Sequence, residues 1–345
     1  MTSHMAREIA AQPEVLRRLL DAERGNVERI AAEVRAAAPC FVLMVARGSS
    51  DNAALYGKYL LGVVNRMPVA LAAPSIFTLY HSPPDLSRAL VIAISQSGQS
   101  PDLLAVAESA RDQGAATLAV TNDPDSPLAG LCRNVIPLHA GPERSVAATK
   151  SYTAQLMALA MLSAALADND SLSKELERVP ELVERAMSTE DAATRATETL
   201  REATRCVVIG RGFDYATAQE IALKLKELAA VAAEPYSAAD FMHGPLAMVE
   251  AGFPALLVAP SGATFGEMAG LARRLVALGV EVVAISDRLE LLPEEVVGVP
   301  MPEAAETTTP FVAVVPGQFL ALHLSLARGL DPDRPRRLAK VTRTK

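Results

Sequence analysis

The chain repeats itself at long range. Phe41-Val42-Leu43-Met44-Val45-Ala46-Arg47-Gly48 matches Cys206-Val207-Val208-Ile209-Gly210-Arg211-Gly212, and a turn around Ser97-Gly98 is matched by one around Ser261-Gly262. Arg47 to Arg211 and Ser97 to Ser261 are each separated by 164 positions. A period that long marks a duplicated domain, because solenoid repeats are far shorter. In each copy the Ser-Gly turn leads into an amphipathic stretch ending near a glycine (Gly114, Gly279), then into another apolar run at 117–121 or 280–286. Strand, helix, strand at this rhythm dictates βαβ units and parallel sheets. The expected fold class is α/β, two tandem domains, each a parallel sheet flanked by helices. We expect an N-terminal helical segment over 1–30, with its helix near 13–23, and a first domain over 31–170. A connecting charged helix over 171–201, a second domain over 202–330 and a C-terminal tail over 331–345 follow.

The most informative segment is Leu90-Val91-Ile92-Ala93-Ile94-Ser95-Gln96-Ser97-Gly98-Gln99-Ser100-Pro101-Asp102. It reads as a buried strand running into a hydroxyl-rich turn and a helix start. Ser100 suits the N-cap, Pro101 the first helical position, and Asp102 the positive end of the helix. Such a turn gathers hydroxyls, free backbone N–H groups and a helix dipole at one point, which holds a phosphate without a metal. The second-copy turn, Pro260-Ser261-Gly262-Ala263, has lost most of those hydroxyls. One phosphate site per chain is therefore expected, in the first domain.

In the second copy, Glu220, Lys224 and Glu227 share one stripe of a helix, bordered by Ile221, Leu225, Leu228 and Leu223. An isolated stripe of this kind is usually a solvated ion-pair ladder. Here it is edged with apolar residues and starts just after the Arg211-Gly212 turn, so a carboxylate beside a lysine in a dry cleft could carry a proton. His243 follows in a loop before Gly244-Pro245, while His323 lies in an apolar stretch and is expected in the core.

Composition removes other classes. Aromatics make up 4% of the chain and Trp is absent, which disfavours stacking on nucleic acid, and a net charge of −7 disfavours a large polyanion. The apolar run 156–167 is too short for a bilayer and reads as a buried helix, so no membrane partner is expected. Cys40, Cys132 and Cys206 have no metal-ligand spacing; Cys40 and Cys206 edge apolar runs, and all three are expected to be reduced structural thiols in a cytoplasmic protein. No Gly-x-Gly-x-x-Gly follows either first strand, which removes a simple dinucleotide site.

Arg47-Gly48-Ser49-Ser50, Ser95 to Ser100, Val146-Ala147-Ala148-Thr149-Lys150, Glu220 to Glu227, His243-Gly244-Pro245 and Leu338-Ala339-Lys340 occur in that order. Together they resemble the tandem sugar-isomerase (SIS, flavodoxin-like) domains of the isomerase half of glutamine–fructose-6-phosphate amidotransferase. The similarity is closer to stand-alone glucosamine-6-phosphate deaminases, through Arg47 to Asp51 and Gly141 to Tyr152. The resemblance implies that Ser49, Ser50, Ser95, Gln96, Ser97 and Ser100 bind the phosphate and nearby sugar hydroxyls, with Val146 and Ala147 lining the pocket through their backbone. It implies that Glu227 moves a proton between C1 and C2, beside Lys224, and that His243 opens the ring, in the family on loan from a neighbouring subunit. Lys340 matches the tail lysine that closes over the open-chain sugar. The implied protein is a homodimer with shared active sites, needing no metal or cofactor, with a sugar phosphate as its small-molecule partner. The implied reaction converts glucosamine 6-phosphate to fructose 6-phosphate and ammonia. The alternatives are an aldose–ketose isomerase, a fructosamine-6-phosphate deglycase or a non-catalytic sugar-phosphate sensor. The glutaminase half and its N-terminal cysteine have no counterpart in the sequence, so ammonia extraction from glutamine is not expected.

Overall fold

The computed structural model describes residues 3–338 and 340. It contains two five-stranded parallel sheets. The first has β1 (Phe41–Val45), β2 (Val69–Leu71), β3 (Ala89–Ser95), β4 (Ala116–Thr121) and β5 (Asn134–Pro137) in the order β2-β1-β3-β4-β5. The second has β6 (Arg205–Gly210), β7 (Ala232–Ser237), β8 (Pro254–Val258), β9 (Glu281–Ser286) and β10 (Val297–Pro300) in the order β10-β9-β8-β6-β7. Read from the other edge, that is the same arrangement of second, first, third, fourth and fifth strand. The duplicated α/β fold expected from the sequence is therefore present. Every residue of β3 is buried, and register pairs such as Met44 with Ile92 and Ala93 with Ala119 set its apolar side chains between layers of helix. Fully burying each of Val91, Ile92 and Ile94 is worth roughly 1.5–3 kcal/mol.

The chain forms two compact units that do not follow sequence order. One comprises Glu14–Glu143 and Lys150–Arg178 together with Lys340; the other comprises 3–13, Arg144–Thr149 and Val179–Leu338. In each sheet the strand order reverses beside the first strand, between β1 and β3 and between β6 and β8. Ligands of open parallel sheets bind outside the carboxyl ends of the strands at such a point. Both Arg-Gly turns and both Ser-Gly turns lie there.

Several expectations need correction. The N-terminal helix is not confined to 13–23: helices run over His4–Ala10 and Gln12–Ala37, since an apolar face continues past Gly25 through Val27, Ile30, Ala31 and Val34. The charged stretch 171–201 is two helices, Asp170–Ala186 and Glu190–Leu200, separated by a 3-10 turn at Met187–Thr189. Cys40 is exposed, because it precedes the strand rather than lying in it, whereas Cys206 is buried inside β6 and burial pushes its thiol up to about 12. His323 is not a core residue: 23% of its side chain is exposed, and its Nε2 lies 2.9 Å from Glu190. The helix Thr309–Ala327 is long and apolar enough to cross a membrane, but 83% of its apolar window is buried within the fold. It packs on the helix Asp214–Ala229, and Gly317 permits the approach, since a Cβ there would sit 2.4 Å from Ile221 Cγ1.

Candidate functional site

In the first-sheet unit the turn after β3 has its shape set from inside. Ser95 Oγ accepts from the Gly98 N–H at 3.0 Å, which leaves the Ser95 hydroxyl proton to donate elsewhere. The Gln96 and Gly98 carbonyls accept from the Asn122 and Leu128 N–H groups at 3.2 Å. Gly98 has φ +62°, and a Cβ there would lie 2.1 Å from Ser126 Oγ, so the glycine serves the packing on Ser126. Ser97 and Gln99 N–H make no hydrogen bond among the described residues. Ser100 occupies the N-cap position of the helix Pro101–Asp112, but its hydroxyl does not cap it. That corrects the sequence expectation: the Ser100 hydroxyl is no cap, and at this helix end the Leu103 N–H donates to Asp102 Oδ1 at 3.0 Å.

Gly98→Ala is expected to destabilise the fold by on the order of 3 kcal/mol, from the Ser126 clash and the positive φ together. It should also abolish phosphate-ester binding. Urea denaturation and calorimetric titration would check both effects.

Ser49 and Ser50 open the helix Ser49–Val64 after β1. Ser50 is buried, and its hydroxyl accepts from Gln155 Nε2 at 2.9 Å. Arg47 Nε lies 2.7 Å from the buried Asp102 carboxylate, tying the β1 turn to the start of the helix after β3. Lys340 Nζ lies 2.9 Å from Glu143 Oε2 in the same unit. The fully buried Glu143 carboxylate also accepts from the Ser151 N–H at 3.1 Å and its hydroxyl at 2.6 Å. The tail lysine is thus anchored at the start of the helix Lys150–Leu166. Arg47, Gln155 and Glu143 were given no role from the sequence, although Arg47 and Glu143 lie in segments that carry the family resemblance. Arg47 is also the residue repeated at Arg211, whose Nε lies 3.1 Å from Glu267, one position past the match of Asp102.

In the second-sheet unit, Lys224 is fully buried, with Nζ 3.3 Å from Glu220 Oε1 and 2.6 Å from Glu227 Oε2. Glu220 is equally buried, while Glu227 keeps 21% of its side chain exposed. The stripe is therefore not a solvated ladder. Burial alone would lower the Lys224 pKa, but the two carboxylates outweigh it and hold the ammonium charged, above its ordinary value. Such a trio offers one reachable carboxylate with a fixed cation behind it. His243 terminates the short helix Ala238–Met242 and is exposed, as is Met242 before it. Val146 and Ala147 lie in this unit too. Glu8 holds their loop by accepting from the Arg144 and Ser145 N–H groups, and Ala147 O accepts from Ser145 Oγ at 2.6 Å.

At the start of the helix Asp214–Ala229, Asp214 is fully buried, pushed up to about 7 first by burial and then by the Glu306 and Asp287 charges. Hydrogen bonds from Thr309 and Thr217 pull the other way. Its folded pKa lies above its unfolded one, so the fold favours the protonated acid. Stability from this group is complete below about pH 4 and is lost as pH rises to about 7, by on the order of 4 kcal/mol. Asp214→Asn is expected to flatten that slope, measured as urea midpoints from pH 4 to 8.

The SIS domain family model matches residues 41–165 and again 199–328. The chain belongs to the SIS domain family. It is 40% identical over 346 residues to a glutamine–fructose-6-phosphate aminotransferase of Thermococcus kodakarensis, with 97% of this chain aligned. This SIS chain spans 57% of that relative's length. A solved structure from Silicibacter pomeroyi DSS-3 assigned as a phosphosugar isomerase superposes with a TM-score of 0.88 at 37% identity, covering 96% of this chain and all of that one. The glucosamine-6-phosphate deaminase of Thermotoga maritima shares the fold, with a TM-score of 0.79 at 24% identity over 99% of this chain and all of its own.

Proposed function

We propose that this SIS protein is a phosphosugar isomerase acting on an amino-sugar 6-phosphate, with glucosamine 6-phosphate converted to fructose 6-phosphate and ammonia. The observation that carries the reading is the turn after β3, where Ser97 and Gln99 N–H stand without partners at a helix start beside the uncapping Ser100 hydroxyl. In this reading the substrate phosphate docks there, with Ser49, Ser50, Ser95, Gln96, Ser97 and Ser100 supplying donors. Binding energy from the phosphate, remote from the reacting carbons, orients C1 and C2. His243 moves the proton that opens the ring. Glu227 takes the C2 proton and returns it to C1, with Lys224 holding the carboxylate in place. The C2 imine that results is hydrolysed by water, giving the ketone and ammonia. Lys340 closes over the open-chain sugar, and the active protein is a homodimer.

A second reading keeps the same proton transfer without nitrogen loss, an aldose–ketose isomerisation. It is favoured by the likeness to the Silicibacter structure assigned as a phosphosugar isomerase. A coupled assay for ammonia and fructose 6-phosphate, run on glucosamine 6-phosphate and then on unaminated hexose 6-phosphates, separates the two. Equimolar ammonia and fructose 6-phosphate support the deaminase. Ketose–aldose interconversion without ammonia supports the isomerase, and ligand binding without turnover defeats both.

A further inference from the structure

The duplicated turn in the second sheet has the same backbone plan as the turn after β3, and its donors are used differently. Ser97 corresponds to Ser261, Gly98 to Gly262, Gln99 to Ala263 and Ser100 to Thr264, each 164 positions on. Both turns leave the third strand of their sheet and enter a long helix, here Phe265–Ala277. Thr264, like Ser100, stands at the N-cap without capping through its side chain. In the first turn the N–H groups of Ser97 and Gln99 have no partner among the described residues. In the second, both equivalents are taken by carboxylates of the chain itself. The Ser261 N–H donates to Asp287 Oδ1 at 2.7 Å, the Ser261 hydroxyl to Asp287 Oδ2 at 2.6 Å, and the Ala263 N–H to Glu306 Oε1 at 3.1 Å. Glu306 lies directly over the turn, so close that a Cβ on Gly262 would be 2.8 Å from its Cδ. Asp287 is 3% exposed.

We infer that the second turn is the same anion cradle occupied from within, the carboxylates of Asp287 and Glu306 standing where a phosphate stands on the first. Each chain then binds one phosphate, and removing the two carboxylates creates a second phosphate site. The inference rests on the reading of the first turn as the phosphate site.

The physical case has three parts. A helix start with free N–H groups favours a negative group, and a carboxylate meets that demand as a phosphate does. A tethered anion acts at a high effective concentration, so a free phosphate at ordinary levels does not displace it. The third part is the company these residues keep. At the position of Ser50 the second sheet carries Asp214, 164 positions on, and burial together with the Glu306 and Asp287 charges favours its protonated form. Where the first sheet has the Ser50 hydroxyl, the second has a buried acid beside the two carboxylates that fill its turn.

The test uses inorganic phosphate as the probe. Calorimetric titration of the native protein is expected to give one phosphate per chain, and of the double variant Asp287→Ala/Glu306→Ala two. Glu306→Gln alone, which keeps the turn filled, is expected to stay at one. A second measurement needs no variant: in the native protein, amide hydrogen exchange across 96–100 is expected to slow by about tenfold or more at saturating phosphate, as new hydrogen bonds protect open donors. Exchange across 260–264 should be slow beforehand and unchanged by phosphate. Two phosphates on the native chain, one on the folded double variant, or phosphate-dependent slowing across 260–264 would each overturn the inference. A native chain that binds no phosphate at all would instead remove the reading of the first turn on which it rests.

Discussion

Glu227→Gln is expected to lower turnover of glucosamine 6-phosphate by roughly 10²–10⁴-fold, with KM changed by no more than a few-fold. The substitution keeps the size and shape of the side chain, and the amide oxygen can still accept from Lys224 Nζ, 2.6 Å from the native carboxylate. What disappears is the capacity to take a proton from C2 and hand it to C1. Substrate binding is proposed to draw on the serine turn, which the substitution leaves alone, so ground-state affinity should persist. Steady-state kinetics, with solvent-deuterium incorporation at C1 of the product as a second readout, check this directly. A variant that kept turnover within tenfold of native and still incorporated solvent deuterium would remove Glu227 as the proton carrier and return the assignment to the other carboxylates of its unit.

What could be read in advance was whatever depends on local order. The β-branched runs at 41–45, 90–94 and 206–209 are strands because their neighbours in sequence are turn residues, and the same strand order in both sheets follows from repeating that pattern. The hydroxyl turn was legible for the same reason. Properties set by partners distant in the chain were not. Helical spacing placed Glu220, Lys224 and Glu227 on one stripe, yet nothing in it showed that Thr309–Ala327 packs on this helix, with Gly317 against Ile221 nearly a hundred residues away. The Ser100 hydroxyl looked like a cap because its type and position suit one, and the geometry leaves it uncommitted. Gln155 sits in an alanine-rich helix that carries no sign of its bond to Ser50. Loss of hydroxyls at 260–263 pointed to a turn without a ligand, but the acids that fill it come from 287 and 306 and leave no mark near the turn itself.

Lys224→Met is expected to destabilise the fold by about 3–5 kcal/mol, a large part of the stability of an ordinary domain. The native ammonium is fully buried between two carboxylates, one of them equally buried. Methionine fills similar volume, so packing loss is small and the cost is electrostatic. Glu220 loses the cation 3.3 Å away that balances its charge in a medium that solvates charge poorly. That cause makes a further demand. Adding Glu220→Gln to Lys224→Met should recover most of the lost stability, because it removes the stranded charge, while turnover stays low since Glu227 has lost the group that orients it. Urea midpoints measured at pH 7 for the two single variants and the pair form a double-mutant cycle, and the coupling between the sites should exceed about 1 kcal/mol. Additive losses would mean that Lys224 contributes through packing, and that the trio is not the electrostatic unit its distances describe. Recovery of stability together with full turnover would instead separate Lys224 from the chemistry and leave it a structural ion pair.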